Sequence, residues 1–295
     1  MVTDAGGLGD KGKNDMVWRG CQRFVEDGGV GAEVENYEPA TEAEGREFLK
    51  KASEAGAEAV IVASPVWEGY VHALARDHPE TAYLLVGGTR GSERVKALTF
   101  PAREAGYMMG VAAAASVPAG NYAFLGGRSD AETRALAAGF AEGVRSEKPS
   151  SRVAEVYLGE EFEAPVDIAA ATARAAALFE EGAAVIFAAA GPANADVAAV
   201  AKDHDKLIIG YESNQNYLER GYVITSLNIR WDDVLFEELC LVAAGKFAGG
   251  TRELDLASDH ICYPIDDNNR SLIPAAAVEK IEAARQRLAA GGVGG

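Results

Sequence analysis

Apolar and polar positions follow two alternating periods along this chain. Short runs rich in Val, Ile, Leu and Ala, such as AVIVAS at 59–64, YLLVGG at 83–88 and VIFAAA at 185–190, are bounded by Gly, Pro or Ser. Between them lie longer stretches with apolar residues at helical spacing. The pattern predicts strands at 1–4, 32–37, 58–63, 82–87, 95–99, 121–126, 152–158, 183–189, 206–211 and 222–227. Helices are predicted near 14–27, 41–55, 68–77, 102–116, 130–146, 166–181, 193–203, 231–245 and 274–289. Strict alternation argues for an α/β chain, with parallel sheets covered by helices on both faces.

The pattern also repeats. Gly6-Gly7 corresponds to Gly126-Gly127, Gly20 to Gly139 and Tyr37 to Tyr157, each about 120 positions later. Further on, EAGAEAVIVAS faces EEGAAVIFAAA, with Gly56 against Gly182, and His78 faces His204. Two doubly wound units are expected, and open α/β sheets bind ligands beyond the C-terminal ends of their strands. A cleft between two lobes is therefore the expected site. The runs VKALTF (95–100) and GYVITSL (221–227) read as crossovers that form a multi-strand hinge. The lobes are expected at 1–100 plus 226–256, and at 101–225 plus 257–295.

Composition narrows the function. The 295-residue chain is 48% hydrophobic and carries a formal net charge of -17, which repels phosphate backbones and argues against a nucleic-acid partner. Its apolar runs fall short of the roughly 18 to 20 residues of a membrane span. Cys21, Cys240 and Cys262 are too widely spaced for a metal motif, and the four histidines never approach ligand spacing, so no metal is expected. No catalytic residue is expected either, since Cys21 lies inside a helix and Ser64 has no base nearby in sequence. The opening MVT is short for a first strand, so the chain is expected either to begin inside one, with any signal or lipid-attachment cysteine upstream, or to start at Met1 as a cytosolic protein with a stunted first strand.

GGLGDKGKND, residues 6–15, can be read in three ways. Gly7, Gly9 and Gly12 spell the dinucleotide fingerprint, with Glu35 as the acid that would follow; Gly7, Gly12 and Lys13 spell a phosphate loop, with Asn14 where Ser or Thr belongs. The third reading is a glycine-rich turn serving another ligand. Asp4 and Asp10 would repel phosphates, and the partner loop GGRSDAETR keeps only the glycine pair, which favours the turn.

VTDAGGLGDKGKNDMVWRG resembles the opening signature of the basic membrane protein family. The resemblance continues through LGGRSDAETRALAAGFAEGV, EEGAAVIFAAAGPANADVAAVAKD and IIGYESNQNYLERGYVITSL. It implies a type I periplasmic-binding-protein fold and the solute-binding component of an ABC importer, a lipoprotein of the cell envelope. Implied partners are a purine nucleoside or nucleobase, captured by lobe closure, and a transporter permease. The protein is expected to be a monomer, without a cofactor.

Carried over residue by residue, Asp4 matches a strand-end aspartate that reaches the ligand, and Asp10, Lys11 and Asn14 match the loop. Phe187 matches an aromatic that stacks on the base, and Gly191 the turn after it. Lys13 stands where the family stacks a Phe, and Gly87, Glu212, Asn214 and Ile229 also depart from its pattern. Trp67 or Phe162 would then complete the aromatic sandwich, or Lys13 would itself sit over the ring or meet an anionic group of a different ligand. In this scheme Asp4, Asp10 and Glu212 accept from hydroxyls, Asn14 and Asn214 fix polar edges, and Phe187 with Trp67 stacks. Trp67 fits a cleft wall or a structural turn equally. Glu212 and Asn214 also fit turn chemistry, and Asn228 fits a cleft contact or a hinge hydrogen bond. The alternatives are a ligand-sensing regulatory domain of the same fold and an NAD-dependent or other enzyme.

Overall fold

The computed structural model describes residues 1–28, 31–118 and 120–291. The chain divides into two compact units, Met1–Phe100 with Arg230–Leu254, and Pro101–Ile229 with Asp255–Gly295. It passes between them after Phe100, after Ile229 and after Leu254.

Strands and helices are numbered in chain order. In the first unit β1 (Ala59–Val62), β2 (Ala82–Val86), β3 (Val95–Thr99) and β9 (Gly250–Glu253) form a parallel sheet in that order. The strands expected at 1–4 and 32–37 shrink to single parallel bridges, Val2 to Val62 and Val2 to Tyr37. The ladder still extends through them, because the Val2 N–H donates to the Ile61 carbonyl at 2.8 Å and the Thr3 N–H to the Tyr37 carbonyl at 3.1 Å. Helices α1 (Lys13–Arg23), α2 (Glu42–Glu54), α3 (Glu68–Asp77) and α8 (Trp231–Ala243) complete this unit. The helix expected to run on to 27 ends at Arg23 and continues as a π turn at Phe24–Gly28.

In the second unit β4 (Asn121–Arg128), β5 (Val153–Gly159), β6 (Ala183–Ala189), β7 (Leu207–Glu212), β8 (Val223–Ile229) and β10 (Ile261–Cys262) form a sheet of order β10-β8-β7-β6-β4-β5. All pairs are parallel except β10 with β8. Its helices are α4 (Ala102–Ser116), α5 (Ala131–Glu147), α6 (Ile168–Glu180), α7 (Asn194–Asp203) and α9 (Ala275–Ala289). Alanines of α6 and α7 pack on Leu125, Ile186 and Ile208 of the sheet, a core built on small helix residues.

Runs 95–100 and 221–227, expected as crossovers, lie largely in β3 and β8. The expected boundary at 226 falls inside β8, whose pairing with β7 and β10 holds residues 226–229 in the second unit.

Of the repeated glycines, Gly20 and Gly139 share one job. A Cβ on Gly20 of α1 would lie 2.6 Å from the Asp232 carbonyl oxygen of α8. A Cβ on Gly139 of α5 would lie 1.8 Å from the Arg103 carbonyl oxygen of α4. In each unit the first helix of the repeat meets the helix after a sheet strand at backbone contact, which no larger residue allows.

Candidate functional site

In the first unit, Asp4 follows the bridge at Val2 and faces the start of α1. Its Oδ1 accepts from the Asn14 amide at 2.6 Å and from the Gly6 N–H at 2.9 Å, and its Oδ2 lies 3.0 Å from the Lys13 ammonium. Asn14 in turn accepts from the Asp4 N–H at 3.1 Å, which closes a two-way link between strand end and helix. Burial works to raise the Asp4 carboxyl, but Lys13, Asn14 and Gly6 outweigh it and hold the group below the ordinary carboxylate value. Asp4, Lys13 and Asn14, all expected as site residues, are thus brought together.

Asp10 does something else. Its Oδ1 accepts from the Gly12 N–H at 2.8 Å and the Asp15 N–H at 3.2 Å, and its Oδ2 from the Asn14 N–H at 3.0 Å. It satisfies donors that the helix start would otherwise leave open. Asp130, 120 positions later, caps α5 by accepting from the Thr133 N–H at 2.9 Å. Both oxygens of Asp10 thus hold the start of α1. Burial, then the neighbouring charge of Asp4, push its carboxyl up to about 6 against the pull of those amides.

The same loop answers the phosphate question. The N–H groups of Gly9 and Lys11 donate to Asp15 at 2.7 and 3.0 Å, and that of Leu8 to Glu38 at 2.9 Å. With those held by Asp4 and Asp10, the amides that a phosphate would need already serve four carboxylates. An incoming phosphate would compete with like charge for each of them.

Trp67 is fully buried, its indole N–H donating to the Glu42 carbonyl at 3.0 Å. A Cβ on Gly45 would lie 2.0 Å from its ring, so the indole is wedged under α2. The stacking role expected of it is corrected to packing within the first unit. Phe162 is buried as well.

In the second unit, Phe187 pairs with Phe124 across β6 and β4. Its ring is fully buried and meets Phe124 and Tyr211 edge to face, with centroids at 5.4 and 6.1 Å, and Phe140 at a tilt, so the stacking role expected of it is corrected to core packing of the second unit. Tyr211, not anticipated from sequence, donates through its hydroxyl to Glu132 at 2.8 Å; burial, then the charge of Glu132, push its phenol well up. Gly191 starts the turn after β6 with φ 63°, a conformation that favours glycine. Glu212 ends β7 with φ 72°, a left-handed backbone uncommon for a side-chain-bearing residue. Asn214 is exposed; its amide donates to Asp266 at 3.0 Å and accepts from the Asn216 N–H at 3.1 Å. These bonds are the turn chemistry that the sequence also allowed.

Behind that turn lies a polar network that sequence reasoning missed. The Gln215 side-chain oxygen accepts from Asn194 at 3.0 Å and from the Tyr211 N–H at 3.1 Å, while the Gln215 N–H donates to Ser226 at 3.0 Å. Ser226 donates to Asn216 at 3.0 Å, and the Asn216 amide donates to the Pro264 carbonyl at 3.0 Å. The signal was present as SNQN, four polar residues after an apolar strand. Among the described residues no group of His, Cys, Asp and Glu is placed to hold a metal, and no helix is long and apolar enough to cross a membrane.

Comparison with known proteins adds the family. The model of the Bmp family, described as "ABC transporter substrate-binding protein PnrA-like", matches residues 1–283. The chain is 26% identical to the "ABC transporter nucleoside-binding protein BmpA" of Lactococcus lactis, over 85% of this chain and 76% of that one. It is 25% identical to a "CD4+ T-cell-stimulating antigen" of Listeria monocytogenes, over 99% of this chain and 86% of that one. Among solved structures, a solute-binding protein of an ABC transporter system from Aeropyrum pernix superposes with a TM-score of 0.88 at 18% identity, covering 98% of this chain and 90% of that one. The parallel sheets described above are those of solute-binding proteins, and the chain belongs to the Bmp family of PnrA-like ABC transporter substrate-binding proteins.

Proposed function

We propose that this protein binds a purine nucleoside or nucleobase, without turning it over, and delivers it to the permease of an importer. The carrying observation is the Asp4, Lys13 and Asn14 constellation. It sets a partly exposed carboxylate and ammonium at one strand end, held in place by the buried Asn14 amide, a charged pair suited to hydroxyls and heterocycle edges. The nucleoside-binding name of the Lactococcus relative supports the ligand class. We place the protein as a monomer at the outer face of the cell membrane, in line with the name of a Pyrococcus abyssi relative, an "uncharacterized lipoprotein", 22% identical over 89% of this chain and 68% of that one.

A thermal-shift screen with inosine, guanosine, adenosine, hypoxanthine, riboflavin and simple sugars tests the ligand. At about a hundred times its dissociation constant a bound ligand adds roughly 2.7 kcal/mol of stability. A shift with purines, and recovery of the ligand unaltered by mass spectrometry, is the expected result. A shift with another class alone overturns the purine assignment, and an altered ligand overturns pure binding.

A further inference from the structure

Along β8, side chains two apart share a face of the sheet, so Ser226 and Asn228 point the same way. In the ladder with β7, Ser226 pairs with Gly210 and Asn228 with Glu212; on its other side Asn228 pairs with Cys262 of β10. The hydrogen bonding of these two residues differs. Ser226 both accepts, from the Gln215 N–H, and donates, to Asn216. Asn228 donates to the Cys262 sulfur at 3.5 Å, a weak acceptor, while its side-chain oxygen is sealed from solvent and has no partner among the described residues.

An orphaned buried acceptor is costly, and folded proteins leave few of them. Here the cost is avoidable. Asn is a poor strand former, its neighbours Leu227 and Ile229 are fully buried, and an aliphatic residue would fit the local pattern better. It also lies at the C-terminal end of its strand, where ligands of open α/β sheets bind, opposite the left-handed backbone of Glu212. Features that weaken a fold cluster where they serve function.

We propose that Asn228 is a specificity-determining residue of the ligand site, its amide oxygen accepting a hydrogen bond from an N–H or O–H group of the ligand. The inference rests on the binding reading above but makes a separate claim about one residue. A ligand that supplies the donor satisfies the orphaned oxygen; an analogue lacking it leaves the oxygen buried and unpaired, and is rejected.

The test compares wild type with Asn228→Leu, a replacement of similar size. Two readouts should move in opposite directions. Without ligand, Asn228→Leu raises Tm by about 2 °C or more, because the orphaned acceptor is gone. With inosine as the calorimetric probe, the same variant binds at least about tenfold more weakly, equivalent to about 1.4 kcal/mol. Asn228→Asp, which keeps an acceptor at this position, retains more of the affinity than Asn228→Leu. If Asn228→Leu binds inosine as tightly as wild type, the inference is overturned while the purine reading stands. If wild type shows no inosine binding, the purine reading fails, and the ligand-free arm still decides: a fall in Tm means that Asn228 is held by the protein itself and overturns the inference.

Discussion

The ammonium of Lys13 and the carboxylate of Asp4 form an ion pair at 3.0 Å, locked to the chain by Asn14 and Gly6 on the other carboxylate oxygen. Lys13→Met removes the main charge that offsets burial of Asp4. The loss at pH 7 should be on the order of 2 kcal/mol by urea denaturation. Because the folded Asp4 carboxyl lies below its ordinary value, its contribution is full above that value and is lost as pH falls through the folded one. The gap between wild type and variant should therefore close below about pH 4; a gap independent of pH would show that the pair contributes little.

Asp10 has the opposite sign. Its carboxyl is raised to about 6 in the folded protein, so its favourable contribution is complete below the unfolded value and is lost as pH rises through 6. Asp10→Asn removes the titration. Stability of wild type relative to this variant should drop by roughly 2 to 3 kcal/mol between pH 4 and pH 7, measured by urea midpoints across that range.

Gly139→Ala forces a methyl group against the Arg103 carbonyl, and should cost about 3 kcal/mol or more, or prevent folding. A methyl group on Gly69 of α3 would meet nothing within 4 Å, so Gly69→Ala should be neutral or stabilise by up to about 1 kcal/mol. Thermal melts of the pair separate close packing from a general intolerance of glycine replacement.

Asn214 and Asn216 are two residues apart with unlike roles. Asn216→Ala opens a buried network at Ser226 and Pro264 and should cost about 2 to 3 kcal/mol, whereas Asn214→Ala, at an exposed turn, should cost under about 1 kcal/mol. Equal losses in denaturant midpoint would contradict the distinction.

ATP and NAD⁺ at millimolar concentration should leave Tm unchanged, since the loop amides already serve Asp4, Asp10, Asp15 and Glu38. A shift with either that is lost in Lys13→Met would restore the phosphate reading.

Much of the architecture was legible because strands and helices carry different periods. The elements that escaped lack such a signal: β9 reads Gly-Thr-Arg-Glu, and β10 spans two residues whose pairing depends on distant β8. Of the candidate site, Asp4 reads as an acid at a strand end and Asn14 carries over from the family resemblance, while the offset linking Asp10 to Asp130 is that of two helix starts. Trp67 could not be read, because its place is decided by Gly45 on a helix that precedes it. Tyr211 and Glu132 meet across 79 positions, beyond any local pattern.

The carboxylates that fill the opening loop have one more consequence. A segment rich in glycine ordinarily loses much conformational freedom on meeting a ligand, and that loss is subtracted from affinity. Here Asp10, Asp15 and Glu38 order the segment when the protein folds. Lys13 is thus carried on an ordered segment, and a ligand that met it would not have to supply the entropy of arranging that segment.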